Sequence, residues 1–290
     1  MWDPSFVVGY VFLFALQTNQ TIFSDLKAGL PVKKLDALQE RTGLIVIALS
    51  RDILRLDPRD QFAITRAHST TQEAVEEILP SLTSELLLYP PSVLKLARLQ
   101  RIILCSQLQS GLPKAVERAA GIACTHQQTL FLDIGTIGYS DWNLRRNLHH
   151  EIYHFIDARQ FQRGKDPEWA SMNEAGFTYA SRYEDLSIAE RLRKGFATTY
   201  AQFNETEDKA ETYSMMISSP LMMARQAEKD PILKRKMQCI KDRLAVFSPS
   251  MNASFWEPIE KRPHPQPATP KPEAQKLNQK KVNSREDPGV

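Results

Sequence analysis

The segment 142–160 carries the feature that most limits how this chain can fold. Its apolar residues recur with helical spacing, and Asp141 before it is a residue type that often caps a helix N-terminus. Within the segment, residues 150–154 are His-Glu-Ile-Tyr-His, which matches the pattern HExxH. Histidines four residues apart on a helix lie one turn apart on one face. The chain must therefore build a helix that presents two imidazoles to the same point.

Paired imidazoles with an adjacent carboxylate predict a zinc site. Imidazole nitrogen suits zinc, and two neutral histidines leave the ion its full charge. In HExxH enzymes the Glu next to the first His is not a ligand but takes a proton from water. The motif therefore predicts Zn²⁺ bound by His150 and His154, with Glu151 as the general base. The competing interpretation is a helix that contains two histidines by chance. The apolar packing positions of this helix and the hairpin that precedes it favour a zinc site.

A third protein ligand is needed, with a fourth position left for water. The acidic stretch 204–211 supplies the candidates. Glu207 and Glu211 lie one turn apart on a predicted helix, so one can bind the ion while the other orients a ligand. These residues alone leave open which of the two binds zinc. A solvated helix start is the alternative, because acids favour helix N-termini.

The motif resembles two groups of metallopeptidases. Over roughly residues 100–220, the chain resembles the anthrax lethal factor family. The resemblance lies in HExxH with Asp157 three residues beyond it, and in the downstream pattern Tyr-x₃-Asn-Glu-x-Glu-x₂-Ala-Glu at 200–211. The His-His-Glu start and the stretch 169–179 are more similar to bacterial proteins described as putative zinc-binding metallopeptidases. The gap from His154 to Glu207 is several residues longer than in the lethal factor family. No toxin role or toxin substrate is expected for this chain.

This resemblance implies a particular ligand set and fold. Zinc would be bound by His150, His154 and Glu207, with Glu211 and Asp157 supporting the ligands. The implied fold class is α+β, a zincin-like domain that is mostly helical, with a small mixed sheet packed beside the HExxH helix. His149 points about 100° away from His150 on the helix, so we expect it to pack rather than to bind zinc.

The resemblance also assigns catalytic roles. Glu151 would act as general base and then acid, and Tyr200 would donate a hydrogen bond to the developing oxyanion. The expected function is hydrolysis of peptide or protein substrates. Two alternatives stay open: a zinc-dependent amidohydrolase with a non-peptide substrate, and a non-catalytic binding protein that keeps zinc as a structural ion. The presence of Glu151 argues against the second, because a structural zinc needs no base.

Composition excludes some other classes. The net charge is only +3, and no basic stripe with interleaved aromatic residues suggests nucleic-acid binding. The three cysteines form no CxxC pair, so a thiolate zinc site is not expected.

The two ends of the chain differ from its middle. Residues 6–16 form an unbroken apolar run, too short to span a bilayer but long enough for the apolar core of a signal peptide. We therefore expect 1–20 to be a signal peptide or apolar segment, 21–258 to be the metallopeptidase domain, and 259–290, rich in Pro and Lys, to be disordered. Export is therefore the expected location. Because no Lys or Arg precedes the apolar run and no clear cleavage site follows it, a cytoplasmic location stays open. No stable membrane span is expected.

Patterns elsewhere predict the remaining elements. Strands are expected at 43–49 and 101–108, and a hairpin at 121–134 with a polar turn at 126–128. A helix at 70–88 is expected to start with a capping box from Thr70 to Glu73 and to break or kink at Pro80. Further helices are expected at 35–40, 92–99, 186–195, 205–218 and 229–244.

Overall fold

The computed structural model describes residues 29–30, 32–54, 64–110, 117–135, 141–160, 166–180 and 193–263. The apolar run at 6–16, most of the helix expected at 186–195 and the tail from residue 264 onward lie outside these residues. No helix in the described ranges is both long and apolar enough to cross a membrane.

A small mixed sheet lies on one side of the domain. Its described strands are β1 (Ile45–Ala48), β2 (Ile53–Leu54), β3 (Ile64–His68), β4 (Arg101–Ser110), β5 (Glu117–Arg118), β6 (Gly121–Cys124) and β7 (Thr129–Asp133). The sheet order is β2-β3-β4-β7-β6, with β1 and β5 also paired to β4. Strands β1 and β7 run parallel to β4, whereas β6 and β7 are antiparallel. The predicted hairpin is confirmed, with β6 at the end of the sheet order.

Helices make up most of the rest. They are α1 (Lys33–Thr42), α2 (Gln72–Leu86), α3 (Pro91–Leu96), α4 (Asp141–Gln160), α5 (Pro167–Ser171), α6 (Glu205–Ser218), α7 (Pro220–Lys229), α8 (Pro231–Phe247) and α9 (Ala253–Glu260). The α+β class, mostly helical with a small mixed sheet, is therefore confirmed. Helices α5, α7 and α9 were not predicted.

Helix α2 differs from the sequence-based expectation at two points. Its N-cap is Thr71, whose side chain accepts a hydrogen bond from the Ala74 N–H, so the predicted cap at Thr70 is wrong by one residue. Pro80 lies inside the helix without ending it. A proline eliminates one backbone donor and crowds the preceding turn, but tertiary packing can hold the helix together. Here Leu79 and Leu82 are buried on either side of Pro80.

The core lies between the sheet and α4. Leu148, Ile152 and Ile156 are buried along one side of α4, and Leu130 and Leu132 of β7 belong to the same apolar cluster. Helix α6 packs along α4, and β6 also contacts α4. The domain therefore holds α4 between a sheet edge and a second helix, which brings residues of three elements around the HExxH face.

Candidate metal centre

Three donor atoms converge where α4 meets α6. Nε2 of His150 lies 3.0 Å from Nε2 of His154 and 3.0 Å from Oε2 of Glu207, and His154 Nε2 lies 3.6 Å from the same carboxylate oxygen. Asn204 caps α6 by accepting a hydrogen bond from the Glu207 N–H, which places Glu207 in the first turn facing α4. The structure therefore brings together the two histidines and one of the two predicted glutamates.

The dimensions and chemistry of this triangle fit zinc. Four ligands arranged tetrahedrally at about 2.0–2.1 Å from zinc lie roughly 3.3 Å from one another. The three donor separations fall on both sides of that value. Oε2 of Glu207 is buried and receives no hydrogen bond from the described residues, so a cation would satisfy it. Two imidazoles and one carboxylate also form a common donor set of catalytic zinc.

Glu211 contacts the other side of the same imidazole. Its Oε1 lies 2.9 Å from Nδ1 of His150, and the side chain is only 2% exposed. Its Oε2 accepts hydrogen bonds from Arg146 Nη2 and Thr198 Oγ1, each at 2.6 Å. Burial raises the pKa of Glu211, but His150 and Arg146 outweigh it and lower that pKa to about 2. Glu211 is therefore an ionised carboxylate that can hold the Nδ1–H of a neutral His150 and leave Nε2 free for a metal.

The two glutamates also set the charge of His150 when no metal is bound. Burial alone lowers the pKa of this imidazole, whereas the carboxylates of Glu207 and Glu211 raise it to about 10. Carboxylates that raise the pKa of an imidazole in this way are typical of a metal site, whose histidine ligands must lose a proton when the ion binds.

Glu151 lies against the end strand of the sheet. A Cβ added at Gly121 of β6 would lie 2.6 Å from Glu151 Cγ and 2.9 Å from its Oε1, so only glycine leaves room for this side chain. Burial is the main cause that raises the pKa of Glu151, while the two histidines and the Ala123 N–H act against it. Its carboxylate therefore lies beside the metal position without belonging to the triangle of donor atoms.

Tyr200 also lies near His150. It begins a short 3₁₀ turn, Tyr200–Gln202, that precedes α6. Its ring centroid is 6.1 Å from that of His150, and its ring stacks on Phe203. The structure thus brings Tyr200 close to the cluster, at the position next to the first motif histidine.

Asp157 forms an ion pair between α4 and α6. Its Oδ1 accepts a hydrogen bond from Lys209 Nζ at 2.6 Å, and both side chains are almost fully buried. Lys209 also lies 3.5 Å from Asp166. Asp157 therefore joins the two helices that carry the donor atoms, at a level one turn beyond His154.

His149 belongs to a separate buried network, as its direction on the helix predicted. Its Nε2 lies 2.9 Å from Glu85 of α2, and its Nδ1 lies 2.7 Å from the hydroxyl of Tyr89. Glu85 also pairs with Arg145 and Arg262. Sequence patterns did not single out Glu85, because one acidic residue on an amphipathic helix carries no signal of burial.

Sequence reasoning did not identify several residues that contact the site. Gly121, Thr198 and Arg146 are ordinary residue types outside any motif, and only the fold brings them to the cluster. The aromatic stretch after α4, whose residue types could equally line a substrate cleft, contributes to the interior at its first member. Trp169 is fully buried, and its Nε1 donates a hydrogen bond to Asp208.

Comparison with known proteins agrees with this site. Residues 125–248 match the family described as "putative zinc-binding metallo-peptidase". A solved structure of a protein with that description, from Bacteroides caccae ATCC 43185, shares 16% sequence identity, with 65% of this chain and 69% of that chain covered and a TM-score of 0.35. No curated protein matches the chain. The family match spans HExxH and both glutamates of α6, and zinc is accordingly the cofactor that the cluster fits. Over residues 125–248, this chain is similar to the family described as putative zinc-binding metallo-peptidases.

Proposed function

We propose that this protein hydrolyses peptide bonds with one zinc ion bound by His150, His154 and Glu207. The observation that carries the proposal is the triangle of donor atoms, with edges of 3.0, 3.0 and 3.6 Å. The family match over residues 125–248 supports the peptidase class. An open fourth position would distinguish this site from a structural one.

Geometry favours Glu207 over Glu211 as the third ligand. Oε2 of Glu207 faces both Nε2 atoms, whereas Glu211 contacts Nδ1 of His150 and is already held by Arg146 and Thr198. Glu211 would then fix the orientation and tautomer of His150, as carboxylates commonly do for metal-bound imidazoles. Asp157 would keep α4 and α6 in register through Lys209.

Glu151 would perform the proton transfers. When bound, zinc polarises a carbonyl oxygen and makes water a better nucleophile near neutral pH. Glu151 accepts the proton of the attacking water and delivers it to the leaving amine. A buried position beside two histidines and close to the strand Gly121–Cys124 suits this role, because the carboxylate is excluded from bulk water and its direction is fixed.

Tyr200 would stabilise the charge that develops on the carbonyl oxygen. Its ring centroid lies 6.1 Å from that of His150. A phenol hydroxyl that donates a hydrogen bond to an oxyanion typically contributes about 10²–10³-fold to kcat.

The sheet edge supports a peptide as the substrate. Strand β6 pairs with β7 on one side, and no described strand pairs with its other side. Its four residues are all partly exposed. An extended peptide can add to such an edge through backbone hydrogen bonds, which would bring a scissile bond past Glu151.

The first test is metal content by elemental analysis, together with hydrolysis of a peptide library. We expect about one zinc per wild-type chain. His150→Ala and Glu207→Ala should lose zinc and activity, and Glu211→Ala should keep most of the zinc with a weaker affinity. Glu228→Ala, an exposed glutamate on α7, is the matched control and should behave as wild type.

Each departure from this pattern has a distinct meaning. Loss of zinc in Glu211→Ala but not in Glu207→Ala would move the third ligand by one helical turn. A zinc-loaded protein that cleaves amide compounds but no peptide would support the amidohydrolase. A zinc-loaded protein whose Glu151→Gln variant behaves as wild type in every assay would indicate a structural ion.

A further inference from the structure

One hydroxyl group connects the metal centre to the turn that carries Tyr200. Oγ1 of Thr198 donates a hydrogen bond of 2.6 Å to Glu211 Oε2. The same oxygen accepts a hydrogen bond of 3.2 Å from the N–H of Ala201. Ala201 is the middle residue of the 3₁₀ turn Tyr200–Gln202. The Thr198 hydroxyl therefore donates a hydrogen bond to α6 and accepts one from the turn.

The anchor for this bridge is rigid. Glu211 is buried in the middle of α6, and its two oxygens are shared by His150, Arg146 and Thr198. Charge-assisted hydrogen bonds of this kind are shorter and stronger than neutral ones. The position of the Thr198 hydroxyl is therefore fixed by the same carboxylate that contacts the first motif histidine.

We infer that Thr198 is a positioning residue that sets the place of the Tyr200 side chain relative to the zinc site. This inference rests on the proposed function, in which Tyr200 donates to the oxyanion. The backbone of a short 3₁₀ turn has few hydrogen bonds of its own, so the contact from Ala201 to Thr198 fixes a considerable part of its geometry. Thr198 contacts Glu211 on one side and the turn of Tyr200 on the other, and it touches none of the three donor atoms that face the metal position.

A substitution that conserves shape isolates the hydroxyl. Thr198→Val keeps the β-branched volume and loses both hydrogen bonds. The three donor atoms do not depend on Thr198, so we expect the zinc content to stay at the wild-type value. A shift of about 1 Å in a catalytic group can cost up to 10²-fold, so kcat should fall about 10- to 100-fold while KM changes little. Thr198→Ser should restore most of the activity.

The neighbouring residue offers a matched control. Thr199→Val makes the same chemical change one position along the same turn, on a side chain that is exposed. It should leave kcat within about twofold of wild type.

A double-mutant cycle with Tyr200→Phe then tests whether Thr198 affects kcat through Tyr200. If Thr198 acts through Tyr200, adding Thr198→Val to Tyr200→Phe should cause no further loss of kcat. Equal losses in both backgrounds would overturn the inference.

A second readout does not depend on turnover. The chain has eight tyrosines, and 3-fluorotyrosine labelling with Tyr200→Phe as the assignment control identifies the ¹⁹F signal of Tyr200. In the zinc-loaded protein, Thr198→Val should shift or broaden this signal, and Thr199→Val should not. An unchanged Tyr200 signal in Thr198→Val would refute the positioning role. Absence of peptide hydrolysis in the wild type would instead refute the proposed function, and the signal would still report whether Thr198 sets the Tyr200 geometry.

Discussion

Replacement of Gly121 by alanine should displace the proposed general base while leaving the zinc ligands in place. The new Cβ would lie 2.6 Å from Glu151 Cγ. An ordinary contact between carbon atoms is about 3.5–4.0 Å, so Glu151 must move by roughly 1 Å. The backbone of Gly121 is outside the left-handed region, and the atoms in the way belong to a flexible side chain. The fold should therefore accept the alanine at a cost no larger than the about 1–3 kcal/mol of ordinary overpacking.

The catalytic effect should be much larger than the effect on stability. A displacement of about 1 Å in a reacting group can lower kcat about 10²-fold. We expect Gly121→Ala to retain one zinc per chain and to lose about that factor in kcat. The assay is steady-state peptide hydrolysis, with zinc content and the urea unfolding midpoint measured on the same preparations.

A second glycine serves as a control, because an alanine there would also be overpacked but would not contact Glu151. A Cβ at Gly135 would lie 2.5 Å from the Cβ of Ser106, away from Glu151. Gly135→Ala should therefore lose stability but keep kcat near the wild-type value under conditions where it is folded. In a Glu151→Gln background, Gly121→Ala should cause no additional loss. Full activity in zinc-loaded Gly121→Ala would contradict the assignment of Glu151 as the base that contacts β6.

Three further predictions concern stability. His149 and Arg262 lower the pKa of Glu85 to about 2 although burial raises it, so this group stabilises the fold above pH 4.5 and loses that effect as the pH falls toward 2. Glu85→Gln should lower the unfolding free energy at pH 7 by about 3–5 kcal/mol and reduce the dependence of that free energy on pH between about 4.5 and 2. Urea titrations at several pH values would detect both effects, and Glu228→Gln is the exposed control. Lys236→Met should cost about 3–5 kcal/mol because it leaves Asp208 buried without its cation, which lies 2.6 Å away. Adding Asp208→Asn should recover part of that loss in the same urea assay, and a full loss in the double variant would argue against the pairing. Chelation of zinc should lower the melting temperature, and free zinc at 100 times its Kd should stabilise the folded state by about 2.7 kcal/mol, an effect that calcium should not reproduce.

Local patterns were sufficient where a short stretch of sequence determines its own structure. The HExxH helix, the hairpin before it and helix α6 all follow from periodicity and capping residues between about 120 and 220. The same reasoning placed the cap of α2 one residue too early, because Thr70 and Thr71 are equally good candidates in sequence. It also expected a break or kink at Pro80, and the helix does not break there, because propensity cannot register the burial of the leucines on either side.

Tertiary geometry decided what the sequence left open. Spacing showed that Glu207 and Glu211 share a helix face, but not which of them is closer to the imidazole Nε2 atoms. That difference depends on where α6 starts along α4, and the Asn204 cap fixes this start. Gly121 and Thr198 carry no chemical signal by themselves, and their importance arises from contacts with Glu151 and Glu211 that are distant in sequence.

The ion pair between Arg262 and Glu85 has a consequence for how the protein is made. These residues are 177 positions apart, and the Glu85 carboxylate also contacts His149, the neighbour of the first motif histidine. During synthesis the helix with HExxH is complete long before Arg262 has been added. Contacts between distant segments form late in folding, because closing a long loop costs chain entropy before the contact compensates for it. The buried network behind the motif can therefore close only after Arg262 has been added, which would delay the fully formed metal centre until well after the HExxH helix has been synthesised.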